Sequence, residues 1–410
     1  MISLSRTAIY STLAACIASP CLPANAVDWS GVLDVRAVSA QAQRSWTRDG
    51  LGKLRYDAGN DGVRLGQAVL RGETDLTDTT TGVVILSAAD DRSAVLDITE
   101  TWLRWNPIPT GPWKIGVKAG IFFPALSLEN DGPGWTPTRT ISTSAVNSWI
   151  GEELRTRGLE MSLVRRGRLT GEPHDIGFSA TLFNGNDATG TLLTWRGWSI
   201  SDRITGLREP LGLPDLPVYR PTGGIPLQTR TIHPFREIDG RLGYQLGMQY
   251  AYGGWLDLAA MQYDNRADPL VVDAGQYSWR TRLQHVSARV RVQEWELLFQ
   301  LMNGNTVMGP RAAGVDLRAW YLLASHPVGA GNLSLRYDNF STRENDVIPS
   351  DPNDERGNSL ALAYAHKIAP AWTVVVEALT VRSDRPARAL SGIAPSQREH
   401  SLTTALRWRF

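Results

Sequence analysis

Cysteine is almost absent from this 410-residue chain: Cys16 and Cys21 are the only two, and both lie close to the N-terminus. The body of the chain therefore has no disulfide framework and no thiolate metal site. Long apolar runs are missing as well. No stretch of about 18 apolar residues occurs beyond the N-terminal segment, which excludes a helical membrane protein, and the mean hydropathy of −0.21 agrees. Lysine is confined to Lys53, Lys114, Lys118 and Lys367, so nearly all the positive charge is arginine. Arginine keeps its charge at any accessible pH and presents a planar fork to anions. With a net charge of +1, a nucleic-acid partner has no bulk electrostatic support.

Catalytic signatures are missing too. There is no Gly-x-Ser-x-Gly, His-Glu-x-x-His, phosphate-loop or paired-cysteine motif. The six histidines (His174, His233, His285, His326, His366 and His400) are scattered, with none at metal-ligand spacing. The chain is accordingly expected to be neither an enzyme nor a cofactor or metal protein. A Ser/His/Asp site assembled in space, as in outer-membrane lipases and proteases, stays open as the alternative. Gly185-Asn186-Asp187, Asp264-Asn265 and Asp351-Pro352-Asn353-Asp354 offer oxygen ligands for calcium, but they read first as turns.

What the chain has in abundance is alternation. Leu402, Thr404, Leu406, Trp408 and Phe410 fall on one side of the terminal segment, and Thr403, Ala405, Arg407 and Arg409 on the other. A period of two puts these sets on opposite faces of a strand. The same pattern recurs around Ile176–Leu182, Leu242–Tyr250, Trp295–Leu301, Leu333–Tyr337 and Trp372–Ala378. One face suits lipid and the other suits water, which is the pattern of a transmembrane antiparallel β-barrel, an all-β fold invisible to hydropathy scans. Sixteen such strands can be laid out between residues 28 and 410, joined by alternating short and long connections. An even count puts both termini at the short-turn, periplasmic side. Residues 80–88 make a weak strand, and losing them with a neighbour gives fourteen. In 279–291, Arg280 and Arg282 share one face while Arg289 and Arg291 share the other, so a bulge is expected near 284–286.

The N-terminus reads as an export signal. Residues 1–26 carry one basic residue, Arg6, then a short apolar stretch and Ala24-Asn25-Ala26, an Ala-x-Ala cleavage site. Residues 27–410 would form the mature barrel domain. Leu13-Ala14-Ala15-Cys16 also fits a lipobox, so lipidation of Cys16 competes with cleavage after Ala26. The closing segment ending in Phe410 is similar to the last strand of bacterial outer-membrane barrels, which the assembly machinery reads. That likeness implies the outer membrane of a Gram-negative bacterium, with its lipid and lipopolysaccharide as partners.

The connection 123–156 is expected to fold into the barrel. An exposed loop has little reason to carry Trp135, Trp149, Ile150 and Leu154. Packed on the wall, they would bring Glu152 and Glu153, with Glu129 or Asp131, to face wall residues such as Arg64, Lys118, Arg318 and Arg336. Strand parity points Arg36, Lys114, Arg241, Arg280, Arg282, Asp34, Asp257, Glu294, Glu296 and Glu377 inward as well. Charges facing lipid cost about 2–4 kcal/mol at the midplane, so the lumen is their natural place.

Lys118-Ala119-Gly120-Ile121-Phe122-Phe123-Pro124, with Gly151-Glu152-Glu153 and Arg157-Gly158-Leu159-Glu160, resembles the bacterial porin superfamily, nearest the phosphate-selective O/P type. The resemblance covers roughly 96–163 plus the strand plan. It implies a passive diffusion channel for small hydrophilic solutes, narrowed by its third loop, and a homotrimer. The dense lysine cluster and arginine ladder of the phosphate-selective type are not present. A plugged structural or adhesive barrel is the non-transport alternative.

Overall fold

The computed structural model describes residues 26–410; the expected signal segment, with Cys16 and Cys21, lies outside the described residues. Sixteen strands close into one antiparallel barrel. They are β1 (Asp28–Gln41), β2 (Gly62–Thr77), β3 (Thr80–Ala88), β4 (Leu96–Trp105), β5 (Trp113–Phe122), β6 (Thr156–Arg166), β7 (His174–Asn184) and β8 (Gly243–Tyr252). The second half comprises β9 (Leu256–Asp264), β10 (Arg280–Val292), β11 (Trp295–Met308), β12 (Ala313–Val328), β13 (Gly331–Glu344), β14 (Glu355–Ala369), β15 (Trp372–Asp384) and β16 (Ser396–Arg409). Among the described residues no helix is long and apolar enough to cross a membrane.

Closure depends on the terminal strand. β1 pairs with β16 from Val32↔Arg409 to Gln41↔His400, and the Gly31 N–H donates to the Phe410 carbonyl at 3.0 Å. A Cβ on Gly31 would lie 2.7 Å from the Phe410 ring, so glycine is what allows the last aromatic to seat there. Phe410 packs on Trp408 at 4.6 Å and Trp408 on Trp372 at 6.0 Å, forming part of an aromatic girdle at the short-turn end. One short turn there, Gly253-Gly254-Trp255 between paired Tyr252 and Leu256, has both glycines at positive φ.

Alternation along each strand gives the wall two faces. Leu182, Leu246, Met248, Leu362 and Leu402 point outward and are exposed, while Ala361, Ala363, Val375, Ala405 and Arg407 are buried in the lumen. The strand 80–88 pairs along its length with both neighbours despite its weak pattern. The expected bulge near 284–286 is absent, because β10 runs in unbroken register with β9 and β11. Bulges occur instead at Asp34/Val35 and at Ile85/Leu86.

Unbroken register corrects the placement of Arg280 and Arg282. They project outward at the long-loop end, where both approach Asp264, and Arg289 and Arg291 point inward. Arg318 is also corrected. Leu317 and Ala319 are buried in the lumen, so Arg318 between them is exposed on the outer wall. These arginines lie toward the strand ends joined to long connections, so they need not contact the hydrocarbon midplane, where the cost would be greatest.

Candidate functional site

The long-loop half of the lumen is filled by the chain's own connections. In 123–155 the Ser144 hydroxyl accepts from the Asn147 N–H and caps the helix α1 (Ala145–Glu153), whose Trp149 and Ile150 are fully buried. They join one apolar cluster with Leu193, Trp198 and Ile200 of the connection 185–242 and with wall residues Tyr263, Met302, Leu317 and Phe340. Trp135 stacks on Phe123 at 4.3 Å. Apolar burial of this extent offsets the entropy of ordering a long connection.

Polar wall residues hold the segment in place. Arg336 is wholly buried and donates to the carbonyls of Ser142 at 2.6 Å and Thr143 at 2.9 Å, to Asp338 at 3.0 Å and to Glu129 at 3.3 Å. Glu377 accepts from the N–H groups of Ile141 and Ser142. Arg407 donates to the Thr140 and Pro137 carbonyls and pairs with Asp34. Glu129 also accepts from the Ser144 N–H and the Asn147 amide, while burial holds its carboxyl above the usual range.

The expected charge pairs are only partly formed. Arg336 does meet Glu129. Glu152 and Glu153 face no wall cation. Glu152 pairs with Arg196 at 2.5 Å and accepts from the Ser199 hydroxyl, both on the connection 185–242. Glu153 accepts from the Trp149 indole and the Leu192 N–H, and burial pushes its carboxyl up to about 7. Both glutamates are fully buried and bind one inward-folded segment to the other. Arg64 bonds the Asn60 carbonyl near the rim, 3.8 Å from Asp90. Arg241 lies outside its strand, paired with Asp268. Glu294 sits in a short turn 3.6 Å from His326, outside the lumen wall.

Connections 42–61 and 185–242 also enter the lumen. Asp202 accepts from Arg36 and Arg55 at 3.0 Å each, and Lys53 pairs with Glu355 at 2.5 Å. Burial beside Arg385 and Arg388 brings the Lys53 ammonium down to about 7 despite Glu355. Leu192-Leu193 with Trp195 and Trp198 carried the same signal as Trp135 and Trp149: large apolar residues in a long connection.

The short-turn half remains open on one side. On β4–β6, Arg104, Lys114, Lys118, Glu160 and Arg166 line a recess of about 340 Å³. Lys118 pairs with Glu160 at 3.2 Å, whereas Arg104, Lys114 and Arg166 have no ion partner among the described residues. A second recess of about 410 Å³ is lined by Leu128, Gln249, Asp257, Ser287 and Arg289. At the edge of the inward-folded segment, Arg139 joins Asp131 at 3.0 Å and Glu296 at 2.5 Å, with Asp131 partly exposed.

No family model and no curated protein matches this chain. Solved structures do match in fold. An anion-selective porin from Comamonas acidovorans is 13% identical over 94% of this chain and 100% of its own, with a TM-score of 0.53. The outer membrane channel DcaP of Acinetobacter baumannii is 10% identical over 94% and 97%, also at 0.53. The trimer form of OmpT, an outer membrane protein of Vibrio cholerae, is 11% identical over 94% and 99%, at 0.51.

Proposed function

We propose that this protein is an outer-membrane channel of the porin kind, a passive pore for small hydrophilic solutes, exported by the signal in residues 1–26 and lacking catalysis. In the short-turn half its path follows the recesses along β4–β9. In the long-loop half the inward-folded connections reach these strands too, through Arg155 on the Thr99 carbonyl and through Phe183 and Tyr263, and narrow it. The observation that carries this reading is the wall of Arg104, Lys114 and Arg166, three lumen-facing cations with no ion partner among the described residues, beside an open recess. A scaffold protein has no use for such charges, whereas a restricted pore uses them to attract anions. Asp131, Arg139 and Glu296 then line the edge of the narrowest section in place of Glu152 and Glu153. The fold likeness to porins and channels supports the same reading, and a homotrimer follows by the same likeness.

Planar bilayers test it. Folded protein should give discrete conductance steps, and Arg104→Gln with Lys114→Gln should move the reversal potential in a salt gradient toward cations. Absence of steps in pure, folded protein would refute the channel.

Dense burial of Trp149, Trp195 and Trp198 in the long-loop half favours a second reading, a plugged structural barrel. The same recordings separate the two.

A further inference from the structure

The outer wall presents a cationic patch that the lumen does not explain. Near the long-loop end of β14, β15 and β16, Arg356, Arg382 and Arg398 all point outward and are exposed. Arg382 lies directly across the ladder from Arg398, and Arg356 is two register positions away on the neighbouring strand, on the same face. Directly opposed like charges destabilise a sheet. Three other arginines on this rim find a counter-charge within the chain: Arg343 pairs with Asp316 at 3.0 Å, Arg241 with Asp268 at 2.7 Å and Arg280 with Asp264 at 3.2 Å. Arg157 and Arg318 stand singly, without a second arginine across the ladder. The three arginines of the patch have no such partner among the described residues. Asp384, opposite Arg356, is turned to the Ser396 hydroxyl.

Directly below, on the same face, the ladder passes through Leu360, Thr380 and His400 to Leu362, Ala378 and Leu402. The patch therefore lies where an apolar belt gives way to polar wall, the level of a membrane interface. A compensating anion there must come from outside the chain. An arginine fork matches phosphate in bidentate geometry, and three on adjacent strands match a headgroup with more than one phosphate.

We propose that Arg356, Arg382 and Arg398 form a docking site for the phosphates of a glycolipid headgroup, the lipid A portion of lipopolysaccharide, whose acyl chains lie on the Leu360–Leu402 belt. The assignment rests on the outer-membrane placement in the reading above but not on conduction.

Native mass spectrometry of the purified full-length barrel, titrated with bisphosphoryl lipid A, tests it. Wild type should bind one equivalent, and Arg356→Gln/Arg382→Gln/Arg398→Gln should bind at least tenfold more weakly. Monophosphoryl lipid A should fall between, millimolar inorganic phosphate should not compete, and Arg343→Gln should bind like wild type. Heat-modifiable migration reports folding, and Arg382→Gln alone, with a smaller loss, serves if the triple variant misfolds. Equal lipid A binding by wild type and variant would overturn the proposal. So would competition by free phosphate, or loss of oligomer with lipid binding unchanged, which would assign the patch to a second copy. Conductance of the triple variant should match wild type, and a barrel without conductance that still binds lipid A through these arginines would remove the channel and leave this site.

Discussion

Arg336→Met should release the inward-folded segment while leaving the barrel closed. Arg336 sits in β13, whose backbone ladders to β12 and β14 do not depend on its side chain. Its guanidinium donates to Ser142, Thr143, Asp338 and Glu129. Methionine fills similar volume but supplies none of these bonds and leaves two buried carboxylates unbalanced. Removing one partner of a buried ion pair costs about 3–5 kcal/mol. At about 1.4 kcal/mol per tenfold, the released form should gain by a factor of roughly 10² to 4 × 10³. Protease protection and hydrogen exchange of residues 137–150 should fall by that order, and mean conductance should rise, while the heat-modifiable band persists. Adding Glu129→Gln should recover part of the protection, since one of the stranded charges is then gone. Unchanged exchange and conductance in Arg336→Met would show that apolar packing alone holds the segment and that the polar grip is incidental.

Deleting Phe410 should lower the amount of folded barrel in the outer membrane, because its backbone closes the seam with Gly31 at 3.0 Å; heat-modifiable protein in membrane fractions is the readout. Gly31→Val should weaken the same seam, since a Cβ there would come within 2.7 Å of the Phe410 ring, and within 2.3 Å of the Val69 carbonyl on β2; the melting temperature of the purified barrel measures it. Glu153 makes packing of the inward segments pH-dependent: its carboxyl is raised to about 7 from an ordinary 4.5, so the folded form binds more protons across that window. Stability is therefore greatest at and below pH 4.5, falls as pH rises toward 7 and levels off above it. The protection factors of residues 145–153, that is exchange relative to the intrinsic rate at each pH, should be lower at pH 8 than at pH 5.5, and Glu153→Gln should flatten that difference.

Period-two alternation determined most of the architecture from sequence alone. A strand's faces differ by one residue, so Leu402-Thr403-Thr404-Ala405-Leu406 states which side meets lipid without any knowledge of its neighbours. The long connections were legible for a related reason. Trp135 and Trp149 in 123–156 had to be buried somewhere, and the lumen was the nearest place. Three things were decided only in the tertiary structure. Arg280 and Arg282 could not be assigned to a face until pairing with β9 and β11 showed that the ladder runs without a bulge. Arg318 sits between inward Leu317 and Ala319, and its height above the midplane depends on strand tilt and stagger, which no local pattern encodes. Glu152 and Glu153 turned to Arg196, Trp149 and Leu192 rather than to the wall because a second connection, 185–242, enters the same space. Which carboxylate meets which cation inside a closed barrel depends on contacts between segments dozens of residues apart, whereas the faces of a strand depend only on its own next residue.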